Sequence, residues 1–260
     1  MKELNLEEKK KIAFDILCKI DEVCRKNSIT YYLAYGSLIG AVRHQGFIPW
    51  DDDIDIWVNY RDYQRFCVVM EQETNYEILN YEHDSSFPLM FTKISDRNTR
   101  VEKINKKNGD YRRGIAVDVF PLIYCPDKNG LKWPAFMINV IKALTRNDSA
   151  ALHNPFQKIG CRALNLIGLD KSFWQKKVYK YFDGIKKMDY LFMPFSEYKL
   201  KDVHLAKQFD STIELQFNDR FFIAPVGYDE ILRDIYGDYM ELPPEEKRIS
   251  KHGTVAYLLK

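Results

Sequence analysis

Four acids fall within five positions of the chain, Asp51, Asp52, Asp53 and Asp55, set among Trp50, Ile54 and Ile56. Residues 53–58 alternate polar and apolar side chains with period two. This predicts a strand with Asp53 and Asp55 on one face and Ile54 and Ile56 on the other. Carboxylates held side by side repel, and the pKa of one rises unless a cation lies between them. An isolated pair of this kind reads as a solvated strand end. Four acids crowded against apolar neighbours are harder to tolerate without a metal or a basic partner. Hard divalent ions, Mg²⁺ first and Mn²⁺ as its alternative, take oxygen ligands and are commonly shared between carboxylates and substrate phosphates. The chemistry these residues suggest is metal-dependent phosphoryl transfer.

Such a site must also hold the phosphate. Residues 31–35 form a short β-prone run that stops at Gly36-Ser37, and 37–43 then read as a brief helix. Glycine permits close backbone approach, the amides at a helix start can hold a phosphate, and Ser37 adds a hydroxyl donor. Gly-Ser alone is a generic turn; its value lies in preceding the acidic strand. A third acid, Asp118, is the single charge in the apolar run Gly114-Ile115-Ala116-Val117-Asp118-Val119-Phe120. Unpaired charges are seldom left in such strands. Asp118 is therefore expected either to complete a metal site and accept the proton of an attacking hydroxyl, or to sit in a structural salt bridge with Arg112 or Arg113. Asp53, Asp55 and Asp118 are the candidate catalytic and metal-binding residues. Lys93, which interrupts the strand expected at 89–94, leads the positive groups that would balance phosphate charge. Arg43, His44, Arg97, Lys247, Arg248 and His252 follow it.

The elements that position these residues are legible in part. Asn5 and Glu8 make a capping box for a helix over 5–27, with Ile12, Ile16, Leu17, Ile20, Val23 and Cys24 on one stripe. Asn59 caps a helix over 60–73 that turns Tyr63, Phe66, Cys67 and Met70 inward. Further strands are expected at 76–81, 89–94, 99–104 and 115–120, and a helix over 229–236 that Gly237 ends. This order predicts an α/β or α+β core with one covered sheet. At 260 residues, 46% of them apolar, the chain can bury a substantial core. Five cysteines, an odd number without a CxxC pair, argue against a zinc site or a disulfide framework and fit a reducing cytoplasm. The first residues are highly charged and show no secretory leader, and no apolar run approaches the ~20 residues that span a bilayer.

The stretch YGSLIGAVRHQGFIPWDDDIDI (35–56) resembles the defining motif of the LicD family, which includes the fukutin-related transferases. IAVDVFPL (115–122) is similar to the family's third-acid strand, and YDEILRDIYGDYMELPPEEKR (228–248), with His252, to its C-terminal motif. The resemblance covers roughly residues 30–122 and 221–252. It implies an α+β, nucleotidyltransferase-like fold: a mixed sheet flanked by helices, with a mostly helical insertion and C-terminal helices. It also implies transfer of a substituted phosphate, most often phosphocholine, from a CDP-activated donor to a sugar hydroxyl, releasing CMP. Teichoic acid, capsule and lipopolysaccharide precursors are the expected acceptors. By position, Asp53, Asp55 and Asp118 would be the magnesium ligands, with Gly36 and Ser37 beside the donor phosphates. Arg43, His44, Lys93 and Arg248 complete the expected donor site. The zinc finger of the fukutin-related protein has no counterpart among the scattered cysteines.

Three segments are expected: a catalytic core over 1–126, a basic and mostly helical insertion over 127–215, and a closing segment over 216–260. From Lys128 to Met188 twelve Lys and Arg oppose three Asp, a net +9 in a chain whose total is +2. That suggests an anionic partner or a solvated surface. Trp133, Phe136, Met137, Val140, Ile141 and Leu144 recur at helical spacing within it. They read either as a core helix or as an interfacial one that brings the protein to a lipid-linked acceptor on the inner face of the membrane. No nucleic-acid partner is expected. Polyol-phosphate transfer, nucleotidyl transfer to a small acceptor, and a non-catalytic scaffold for anionic polymer or membrane remain the alternatives. Choline would need an aromatic cage, whose walls cannot be picked from 17 Tyr, 16 Phe and 4 Trp.

Overall fold

A computed structural model describes residues 1–84, 87, 89–103, 114–125, 139–140, 159–160, 163–164, 166–169, 171–184, 186–194, 198–249 and 253–259. Arg112, Arg113, His252, Trp133, Phe136 and most of residues 127–170 lie outside the described residues.

Asn5 is the pivot of the first turn. Strand β1 (Lys2–Leu4) runs into it, and its side chain accepts the Glu8 amide at 2.9 Å while the Glu8 carboxylate accepts the Asn5 amide at 3.0 Å. This capping box starts α1 (Leu6–Lys26), whose Ile16, Leu17, Ile20 and Cys24 are fully buried. After β2 (Tyr31–Leu33) the chain turns sharply. Tyr35 has φ of 44°, a left-handed conformation that is rare for a bulky residue. It opens α2 (Tyr35–Ile39), which widens into a π turn over Gly40–His44. A side chain at Gly40 would run into the carbonyl of Gly46, the residue whose amide donates to the Gly40 carbonyl. The helix therefore begins two residues ahead of the expected 37–43.

Strand β3 (Ile54–Asn59) is displaced by one residue from the expected 53–58, because its ladder with the next parallel strand begins at Ile54. Asp53 precedes the strand rather than sharing it with Asp55. Asn59 accepts the Arg61 amide at 3.1 Å and caps α3 (Tyr60–Glu73), which buries Tyr63, Phe66, Cys67 and Met70 as expected. Four strands follow: β4 (Glu77–Leu79), β5 (Thr92–Ser95), β6 (Thr99–Lys103) and β7 (Ala116–Cys125). Beyond them come α4 (Lys171–Asp183), β8 (Tyr190–Phe192), β9 (Val203–Leu205), β10 (Thr212–Phe217) and β11 (Arg220–Pro225). Helix α5 (Tyr228–Tyr236), ended by Gly237, and β12 (Thr254–Leu258) complete the order.

The fold is α+β. Its main sheet runs β2-β3-β7-β5-β4, with β8 and β9 joined through the far end of β7. Strands β3 and β7 pair in parallel, while β2, β5, β4, β8 and β9 all pair antiparallel. Two strands of the main sheet thus come from within the 127–215 segment. Ile54, Ile56, Val117, Val119 and Ile94 are fully buried, and α1 and α3 lie against β3 and β7. A smaller sheet, β1-β12-β6, and the β10–β11 hairpin flank this core. No described helix is long and apolar enough to cross a membrane.

Candidate active site

The register of the main sheet assembles the site. Parallel pairing sets Asp55 opposite Asp118, and antiparallel pairing sets Lys93 opposite Asp118 on its other side. Neighbouring strands lie about 4.8 Å apart, so Lys93, Asp118 and Asp55 form one row across three strands. Lys93 and Asp118 make an ion pair, with side chains only 13% and 16% exposed. The expected positive group and the expected third acid are thus joined to each other. A second row lies two residues further along the same face. Phe91 precedes Lys93, Phe120 follows Asp118, and Trp57 follows Asp55 and stands opposite Phe120. The rings of Phe91 and Phe120 are 4.4 Å apart.

The crowding of acids falls on Asp55. Burial first, and then the carboxylates of Asp53, Asp118 and Asp51, push its carboxyl well above the usual range, with Lys93 acting against them. Asp52 belongs elsewhere: Lys9 on α1 reaches it at 3.2 Å and also donates to the Thr254 carbonyl. Asp51 lies against Gly36, where a Cβ would stand 3.0 Å from its Oδ2. The buried Ser37 hydroxyl accepts the Asp55 amide at 2.8 Å. Gly36 and Ser37 therefore both touch the acid cluster, one by making room for Asp51 and the other by fixing the backbone of Asp55. Ser37→Ala should leave that amide without its partner and cost about 1 kcal/mol in denaturant unfolding, with slower turnover. A variant as stable and as fast as the parent would rule out this positioning role.

Arg43, His44 and Arg248 gather around Trp50 and the chain beyond α5. Arg43 donates to the carbonyls of Tyr239 and Glu241 and bonds His44 at 3.2 Å. The His44 ring meets Trp50 edge-on, and the Arg248 guanidinium lies 5.9 Å over the same indole while donating to the Pro243 carbonyl. Burial, and then Arg43, lower the basicity of His44. Arg97 is taken up by the carbonyls of Asn75 and Tyr76, and Lys247 lies exposed in a short 3₁₀ turn.

Tyr35 supports the turn that carries Gly36 and Ser37. Its hydroxyl donates to Asp202 at 2.5 Å, and the other oxygen of Asp202 pairs with His204 Nε2 at 2.8 Å, both residues being fully buried. Its ring packs on Trp57 at 4.9 Å and on Phe120 at 5.4 Å. Asp202 and His204, beside β9, were not among the residues singled out from sequence; nor were the aromatics beside the acids. The aromatics did leave a signal, since Phe91-x-Lys93, Asp118-x-Phe120 and Asp55-x-Trp57 each place a ring on the face of a charge.

The donor set suits a hard cation in kind: carboxylates alone, one of them costly to ionise where it stands. Among the described residues, however, no three of His, Cys, Asp or Glu form a ready metal cluster.

Fold and site define an α+β protein whose acids meet on neighbouring strands behind a Gly-Ser turn. Residues 28–159 match the family model described as LicD/FKTN/FKRP, nucleotidyltransferase domain. The chain is 32% identical over its whole length to the lipopolysaccharide cholinephosphotransferase LicD of Haemophilus influenzae, which is also covered completely. Shorter stretches match uncharacterized Rickettsia proteins. One of R. typhi is 38% identical over 73 residues, 28% of this chain and 24% of that protein. One of R. prowazekii is 45% identical over 49 residues, 19% of this chain and 18% of that protein. The chain belongs to the LicD family.

Proposed function

We propose that the protein transfers phosphocholine from CDP-choline to a sugar hydroxyl of a surface glycan, of the lipopolysaccharide type in the first instance, and releases CMP. The full-length similarity to a cholinephosphotransferase supports the reaction class. The observation that carries it to particular residues is the row Lys93–Asp118–Asp55, with Asp53 and Asp51 beside it.

In this reading the acceptor oxygen bonds to the phosphorus that bears choline. The bond from that phosphorus to the bridging oxygen breaks, and CMP leaves with the bridging oxygen. Asp118 accepts the hydroxyl proton, while Lys93, holding its Oδ1, orients it and balances phosphate charge. Asp53, Asp55 and Asp118 would hold Mg²⁺ or Mn²⁺, which supplies charge neutralisation at the transferred phosphate. Ser37 and Gly36 keep Asp55 and Asp51 in place, and Arg43, His44 and Arg248 would meet the more distant part of the donor.

The basic segment within 127–215 is assigned to the acceptor or to an anionic membrane surface. Binding to anionic vesicles that weakens as salt rises supports the second role, and equal binding to neutral vesicles opposes it. Teichoic acid and capsule precursors are alternative acceptors. Incubating the protein with CDP-choline, CDP-ethanolamine, CDP-glycerol and CDP-ribitol tests the donor. CMP release should be fastest from CDP-choline, by about tenfold or more. Preference for a polyol donor would replace phosphocholine with polyol phosphate.

A further inference from the structure

Beside the row of charges lies the row of rings, and its spacing matches one part of a phosphocholine donor. We propose that Phe91 and Phe120, with Tyr35, Tyr198 and Tyr236 linked to them through successive ring contacts, form the site for a quaternary ammonium group and set headgroup specificity. The inference rests on the phosphocholine reading above and assigns it the residues that recognise choline.

The two rows are two residues apart, about 6.6 Å along the strands at 3.3 Å per residue. In phosphocholine an oxygen and two carbons separate phosphorus from nitrogen, a span of similar reach. A phosphate held at Lys93, Asp118 and Asp55 therefore places its trimethylammonium over the rings. Phe91 and Phe120 are both partly exposed, tilted 47° to one another. Tyr35 stands edge-on to Phe120, Tyr198 is 5.8 Å from Tyr35, and Tyr236 is 5.2 Å from Tyr198. Tyr198 is 38% exposed, so this set of rings reaches solvent. Trp57 is sealed beneath. The place already takes a cation, since the Lys93 ammonium lies 5.5 Å over the face of Phe91.

Chemistry makes such a surface selective. A trimethylammonium donates no hydrogen bonds and is weakly hydrated, so aromatic faces suit it. The primary ammonium of an ethanolamine headgroup keeps its water or seeks carboxylates, and a neutral polyol gains nothing from ring quadrupoles.

Titration of the full-length protein with CDP-choline, CDP-ethanolamine and CDP tests the assignment. The parent should bind CDP-choline about tenfold more tightly than CDP-ethanolamine. Phe91→Leu and Tyr198→Leu should each remove most of that preference while CDP affinity changes less than about twofold, and Phe91→Tyr, which keeps a ring, should retain it. Tyr198 is exposed, so its variant stays informative if Phe91→Leu fails to fold. A parent that releases CMP only from polyol donors would remove the phosphocholine reading together with this one. A choline-selective parent whose preference survives both leucine variants would overturn the aromatic site alone.

Discussion

Asp55→Asn should reduce turnover by about two to three orders of magnitude while leaving the protein as stable as its parent or more so. The two effects have one cause. The carboxyl of Asp55 is raised well above its ordinary value of 3.8 by burial and by Asp53, Asp118 and Asp51. A carboxyl with a raised folded-state pKa binds more protons folded than unfolded at pH values between the two. Stability contributed by Asp55 is therefore lost as pH climbs from about 4 through the folded value. Asparagine keeps the size, removes the charge and flattens that slope. Melting temperature followed against pH should fall less steeply in the variant than in the parent, and added Mg²⁺ should stabilise the parent more than the variant. Near-normal turnover with saturating donor, or a marked loss of stability at neutral pH, would contradict this role.

Lys93→Ala should be nearly as damaging for a different reason. It removes the cation from a mostly buried pair and the group that opposes the raised pKa of Asp55. Stability without added metal should fall by about 1–2 kcal/mol, and kcat/KM for the CDP donor by about a hundredfold. Because the loss combines charge and geometry, Lys93→Arg should recover stability more fully than activity. An alanine variant that loses stability but keeps its kcat/KM would make Lys93 a structural counter-ion to Asp118 and nothing more.

How far such residues could be foreseen differs between neighbours. Helices α1 and α3 were written locally: Asn5 with Glu8 and Asn59 name their starts, and the apolar stripes name their buried faces. The ends of α5 were similarly marked by its periodicity and Gly237. The acids were legible because charge beside apolar strand residues needs a reason. Their arrangement was not, since Asp55 and Asp118 meet only through the parallel register of β3 and β7, which no local pattern specifies. The same holds for Asp118, whose structural salt bridge is expected at Arg112 or Arg113 and which pairs with Lys93 on the neighbouring strand.

Short strands of three residues, β1, β8 and β9, carry too little alternation to be read alone. The β10–β11 hairpin does carry a signal, an Asn218-Asp219 turn between two runs of β-forming residues, but the boundary expected between 215 and 216 divides it. The left-handed Tyr35 and its buried support from Asp202 and His204 depend on contacts between residues 167 apart, beyond the reach of local propensity.

The fate of the two phosphorus atoms of CDP-choline tests the proposed reaction most directly. With Mg²⁺ and a glycan acceptor, label on the choline methyls and on the adjacent phosphorus should appear together in the acceptor. Label on the cytidine-bearing phosphorus should leave as CMP, and both should depend on Asp55 and Asp118. Transfer of the cytidine-bearing phosphorus to the acceptor, with phosphocholine released, would make the protein a nucleotidyltransferase and contradict the mechanism built on the Lys93–Asp118–Asp55 row.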